Sequence, residues 1–262
     1  MPRHPNAYVR AAKPSDTSEI EDVLTRAFIN DPAMCYYGAA PALVKDPANP
    51  TPSEQKTIRE LHVFMTAMLK VPALVHGNVD VVVVPAENEH DGSSATPGSK
   101  ERIAAAALWF PPGVSVDFGL LTAFRAGIIN VALAWGLAGV LNGRDYGVAV
   151  EKTLAREFKA RSLPRSDSWH LYMIAVDPGD QGAGYSSMLF KEGFRRAAPK
   201  PCHLTASKPK NKDIYEHFGY ELVETHVVGV GDVDASGLKA RGAAAVGVPE
   251  FVMIKWTVDK PQ

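Results

Sequence analysis

The stretch WHLYMIAVDPGDQGAGYSSMLFKEGFRRA, residues 169–197, decides the reading of this chain. It opens as an apolar strand and runs into Asp177-Pro178. Gln181, Gly182, Ala183, Gly184, Tyr185, Ser186 and Ser187 then lead into an amphipathic helix. Glycines at a strand-to-helix turn let the backbone approach an anion closely, and the unsatisfied N–H groups of the first helical turn face it. A diphosphate is the natural ligand of such a loop. Two common phosphate loops do not fit. A P-loop ends in Gly-Lys-Ser/Thr, and Gly184-Tyr185-Ser186 lacks the lysine. The dinucleotide fingerprint requires a third glycine where Ser187 stands, and an acidic residue about 20 positions on, where the chain has Leu204 and Thr205.

Outward from this segment, periodicity predicts a mixed α/β chain. Strands are expected at residues 8–11, 79–84, 103–110, 169–176, 202–206, 221–230 and 251–258. Helices are expected at 16–28, from Ser53 to about 69, at 145–162, 186–197 and 212–218. Residues 118–141, FGLLTAFRAGIINVALAWGLAGVL, approach the length of a membrane span. Arg125 and Asn130 interrupt them, however, and no basic cluster flanks them. They read as one or two helices packed on a core or a ligand cavity, with no membrane span. One domain over 1–262 is expected, with flexible loops at 86–101 and 231–248 and a helical insertion at 114–162.

Composition narrows the function classes. Of 262 residues, 28 are basic and 29 acidic, so no basic field exists to hold a nucleic-acid backbone. Cys35 and Cys202 are too few and too far apart for a disulfide framework or a metal pair, and read as free thiols. The N-terminus lacks the apolar segment of a signal peptide. These features together lead to the expectation of a cytoplasmic protein without a metal.

A third class of phosphate loop fits. Val176, Pro178, Gln181 and Gly184 match motif A of the GNAT superfamily of acyl-CoA-dependent N-acyltransferases, with Ser186 where a glycine or alanine is usual. Downstream, LTASKPKNKDIYEHFGYELV (204–223) resembles the family's next motif through Asn211, Tyr215, Gly219 and Tyr220. Within the superfamily the layout is similar to puromycin N-acetyltransferase and fungal relatives. The grounds are Ala27-Phe28 before Asp31-Pro32, the Leu108-Trp109 strand before a helical insertion, and the Ser207-Lys208-Pro209 turn.

The resemblance implies a GNAT fold: a mixed, mostly antiparallel sheet splayed between two strands, with helices on both faces. It implies an acetyl-CoA-dependent N-acetyltransferase acting on a small, partly apolar amine by direct attack. Cosubstrate contacts are expected from Ile174, Ala175 and Val176, from Gln181 and Gly182 through the amides of Ala183, Gly184, Tyr185, Ser186 and Ser187, and from Ser207, Asn211 and Tyr215. The Val176 N–H would polarise the thioester carbonyl. Tyr215, on one helix face with Asn211, would be the general acid that reprotonates the thiolate of CoA. For the general base His170, Asp31 and a water chain stay open. A protein or peptide N-acetyltransferase and a non-catalytic acyl-CoA-binding module are the alternatives, and a monomer or homodimer is expected.

Overall fold

The computed structural model describes residues 3–85, 101–114 and 119–257. Most of the expected 86–101 loop, part of the 114–162 insertion and the end of the last expected strand lie outside the described residues. The elements run β1 (Tyr8–Ala11), α1 (Thr17–Phe28), α2 (Pro32–Tyr37), α3 (Pro52–Leu74), β2 (Asn78–Pro85) and β3 (Glu101–Phe110). They continue with α4 (Leu120–Ala126), α5 (Ile128–Ala160), β4 (Trp169–Val176), α6 (Tyr185–Ala197), β5 (Cys202–Ala206), α7 (Pro209–His217), β6 (Glu221–Val228) and β7 (Val248–Lys255).

The seven strands form one sheet in the order β1-β2-β3-β4-β5-β7-β6, antiparallel everywhere except between β4 and β5. Strand alternation sends Val82, Val84 and Trp109 to one face, where α6 packs with Leu189 and Phe190. It sends Val81, Val83 and Leu108 to the other, against Ile20 and Leu24 of α1 and Met65 of α3. β3 is buried on both faces from Ile103 to Phe110. Its alanines let helices approach the sheet from either side.

Local sequence explains several boundaries. Helix α3 starts at Pro52, just before the expected Ser53, because Thr51 and Glu54 form a reciprocal capping box and Pro52 takes the first helical position. Asp31-Pro32 ends α1 as expected, but it also starts α2: the Asp31 side chain accepts from the amides of Ala33 and Met34. The 231–248 segment is irregular, as its glycines and alanines imply, yet it is tied down. Asp234 Oδ1 accepts from the amides of Ser236 and Leu238 and from the Ser236 hydroxyl, and Val233 and Ala245 are buried.

The expected break near residues 142–145 is absent. Helix α5 continues through it, with an irregular point at Gly136. Its inner face, Val131, Trp135, Val150, Leu154 and Phe158, is buried, and Trp135 stacks on Phe64 at 4.2 Å. Its outer side and α4 expose Leu120, Leu121, Phe124, Leu133 and Leu137, so the insertion is only partly packed on the core. Among the described residues no single helix is long and apolar enough to cross a membrane. Helices α4 and α5 pass together by length and composition, but they meet at 99°.

Gly139 sets the approach of α5 to α2: a Cβ there would lie 2.1 Å from the Tyr37 carbonyl oxygen. Replacing Gly139 with Ala should therefore push the helices apart. Overpacking of this kind costs about 1–3 kcal/mol, and a lowered urea midpoint would register it. An unchanged midpoint would mean that α5 shifts freely.

Candidate functional site

Strands β4 and β5 meet and then part. Their pairing is confined to Trp169↔Cys202 and His170↔His203 at the N-terminal ends. Beyond it, β5 continues to pair with β7 as far as Ala206↔Phe251, and β4 pairs with β3 as far as Val176↔Ala105. A bulge at Tyr172 contributes to the divergence, because Leu108 registers with Met173 while Trp109 registers with Leu171. Asp177 donates its amide to Ala104 of β3. By two-residue alternation, Val176 and Ile174 turn their peptide groups toward the gap, whereas Ala175 turns to β3. The gap therefore carries peptide groups that call for a ligand. The expected contact from Ala175 is the exception: its backbone serves the β3 ladder and its side chain packs in the core.

The glycine loop stands at the open end of β4. Gly182 and Gly184 have φ of +86° and +79°, a region other residues enter at a cost, and Gly184 is the N-cap of α6. A Cβ on Gly184 would meet nothing within 4 Å, so the loop faces open space there. Gly182 and Ser187 are exposed and Ser186 is half-buried. Ala183 and Tyr185 turn their side chains into the core; the Ala183 amide donates to the Asp180 carbonyl at 3.3 Å, the Tyr185 amide is left for an anion, and the Tyr185 hydroxyl accepts from the His4 amide at 3.3 Å. Gln181 is exposed. The acidic groups beside the loop are neutralised: Arg26 donates to Asp177 at 2.8 Å, and Arg102 holds Asp180 through two nitrogens. With no acidic residue in the first turn of α6, the loop suits a diphosphate.

Tyr215 projects from α7 into an aromatic cluster, 5.9 Å from Phe190 and 6.3 Å from Tyr220 between ring centroids. Burial, and secondarily the charge of Asp31, pushes its hydroxyl above the ordinary tyrosine value. Asn211 lies one turn earlier on the same helix. Ser207, at the end of β5, donates to Asp31 Oδ2 at 2.6 Å.

The two side chains expected as possible bases are poorly suited to that work. Asp31 is 1% exposed, and both of its oxygens are occupied: Oδ1 caps α2, while Oδ2 takes Ser207 and Lys208 Nζ at 3.3 Å. It fastens α2 to the β5–α7 turn. His170 stacks on His203 at 4.4 Å, and burial, then Arg165, pushes its pKa down to about 3. An imidazole so depressed has little affinity for a proton.

Glu250 on β7 is not among the residues expected at the site. It is 4% exposed, it receives the Tyr37 hydroxyl at 3.5 Å, and the Tyr146 hydroxyl, itself beside Thr205, stands next to it. Burial, then the charge of Asp31, raises its carboxyl to about 8. The available signal was a single acid inside the apolar run VPEFVMIK. Among the described residues no group of three or more His, Cys, Asp or Glu is arranged to hold a metal ion.

No protein-family model matches the chain. An uncharacterized N-acetyltransferase of Schizosaccharomyces pombe is 30% identical over 128 residues, 45% of this chain and 47% of the relative, so the match spans about half of that protein. Among solved structures, histone acetyltransferase HPA2 and related acetyltransferase from Corynebacterium glutamicum aligns over 97% of each chain with a TM-score of 0.54 and 20% identity. The chain has the GNAT fold. Arylalkylamine N-acetyltransferase 2 from Aedes aegypti shares the fold at a TM-score of 0.53 and 13% identity, over 96% of this chain and 99% of its own. The parted β4 and β5 and the glycine loop occupy the positions that the GNAT motifs led one to expect.

Proposed function

We propose that this GNAT chain is an acetyl-CoA-dependent N-acetyltransferase that acts on the amine of a small, partly apolar acceptor. The observation that carries the reading is the convergence of three features: a gap lined by the peptide groups of Ile174 and Val176, an open glycine loop at the start of α6, and the buried, protonated hydroxyl of Tyr215. Acetyl-CoA supplies the acetyl group as a thioester. The amides of Gly182 and of 184–187 hold its diphosphate, and Ile174 and Val176 pair with its amide groups. The Val176 N–H lies on the side of β4 from which it polarises the carbonyl. Tyr215 gives its proton to the departing sulfur. On the face opposite Tyr215, Ala126 and Ile128 of the insertion pack in clusters shared with Tyr172 at the β4 bulge. Their apolar surface beside the bulge favours an acceptor with an apolar body.

The decisive test is Gly184→Val. It places a branched side chain on the open side of the loop, at a φ that favours glycine. CoA affinity by calorimetry should fall at least tenfold while the melting temperature stays near that of the wild type. A folded variant with unchanged CoA affinity would refute the assignment of this loop. Transfer of acetyl groups to a panel of amines then separates the enzyme from a module that only binds acyl-CoA.

A further inference from the structure

We infer that Glu250, with the hydroxyls of Tyr37 and Tyr146, forms the subsite that receives the acceptor's ammonium group, and that Glu250 takes the proton the nitrogen must lose before it attacks. This rests on the acyltransferase reading above and adds the base and the charge of the acceptor.

Position is the first ground. Phe251 registers with Ala206, so Glu250 stands just past the end of β5, beside Ser207, at the end of the sheet where β4 and β5 have separated. Asp31 influences both Tyr215 and Glu250, so the proton donor and this carboxylate share one neighbourhood.

The second ground is an unmet need. A buried carboxylate is ordinarily matched by a cation or several donors. The groups that face Glu250 are Tyr37 and Asp31 from α2, Tyr146 from α5, Thr205 from β5 and its cross-strand neighbour His226 from β6. Lys208, the nearby cation, is engaged by Asp31, and His226 by Thr153 at 3.1 Å. The Tyr146 hydroxyl is buried beside Glu250 and Thr205, yet makes no hydrogen bond of good geometry. Among the described residues, Glu250 has no cation to meet it once it ionises and the Tyr146 hydroxyl has no partner of good geometry, so the pair lacks one positive donor. An alkylammonium group supplies it. The rings of Tyr36, Tyr37 and Tyr146 follow one another at 5.2 and 6.5 Å and give the cation aromatic surface.

The chemistry balances. Glu250 accepts one N–H proton, and the freed lone pair forms the C–N bond as the C–S bond breaks. The sulfur leaves with the electron pair and takes the Tyr215 proton. The new amide nitrogen sheds its second, surplus proton, which restores Tyr215, and Glu250 releases the first to solvent. The raised carboxyl of Glu250, near 8, matches a base that works close to neutral pH.

The test measures acetyl transfer from acetyl-CoA to phenethylamine by the full chain, with CoA affinity followed by calorimetry. Glu250→Gln should lower kcat/KM by ~10²–10⁴-fold, leave CoA affinity unchanged, and remove the rise of kcat/KM through about pH 8 expected of the wild type. Tyr146→Phe should raise the amine KM about tenfold, the value of one hydrogen bond to a charged group, and keep the pH profile. Activity of Glu250→Gln within threefold of wild type, or an unaltered pH limb, overturns the inference and leaves the acyltransferase reading standing. A wild type that binds CoA but acetylates no amine overturns both. Should Glu250→Gln not fold, an unchanged amine KM in Tyr146→Phe overturns the subsite.

Discussion

Tyr215→Phe should lower kcat by ~10²–10⁴-fold, the usual worth of a general acid, with little change in the Michaelis constant for acetyl-CoA. The substitution removes one oxygen from a packed ring and keeps its contacts with Phe190 and Tyr220. Stability should therefore hold. The hydroxyl is suited to the role because burial and Asp31 raise its pKa, so it keeps its proton at working pH. The thiol it must reprotonate has a pKa of about 8.5. Thiolate protonation therefore becomes rate-limiting only once the local donor is lost. A solvent-viscosity effect on the wild type shows whether product release hides the step. If kcat falls less than threefold in single-turnover measurements, which exclude product release, Tyr215 is not the acid.

The parts of this molecule that were legible in its sequence carry their instructions locally. The 169–197 segment states a strand, a turn and a helix start within 29 consecutive residues, and the glycines that need positive φ stand inside it. Asn211 and Tyr215 were singled out by the likeness of 204–223 to the family's second motif, and both lie on the short helix α7. Helix α5 was misread because Asn142-Gly143-Arg144-Asp145 has the composition of a break. What holds the helix through it is tertiary: Trp135 and Gly139 on one side, and Val150, Leu154 and Phe158 on the other, are buried by α2, α3 and the β6–β7 end of the sheet. His170 looked poised as a base by residue type and its place on the motif A strand, and its depressed pKa arises from burial and then from Arg165, which no spacing announces. Glu250 was hidden for the opposite reason. Its partners Tyr37 and Tyr146 come from helices more than 100 positions earlier in the chain, and a lone acid in a strand reads as an exposed edge until the fold covers it.

The fold should lose stability as pH rises from about 4.5 to about 8, and Glu250→Gln should cancel that loss. An unfolded glutamate ionises near 4.5, whereas native Glu250 keeps its proton until about 8. Between those values the native state binds one more proton than the unfolded state, so the free energy of unfolding declines with pH. The contribution is fully present below the unfolded value and gone above the folded one. At ~1.4 kcal/mol per unit, the span corresponds to a few kcal/mol, with about 5 as an upper bound, large against a net stability of roughly 5–15 kcal/mol. Asp16 works in the other direction and at lower pH: Arg10 holds its carboxyl below the ordinary range, so its stabilisation disappears only as pH falls. Urea unfolding of wild type and Glu250→Gln at pH 5, 7 and 9 isolates the glutamate, since every other group is common to both chains. The variant should gain on the wild type at each step upward, and parallel curves would show that Glu250 ionises normally in the native state. The same linkage binds stability to function. An ammonium ligand relieves the buried carboxylate, so a saturating amine should raise the melting temperature of the wild type more at pH 9 than at pH 5, and Glu250→Gln should lose that difference.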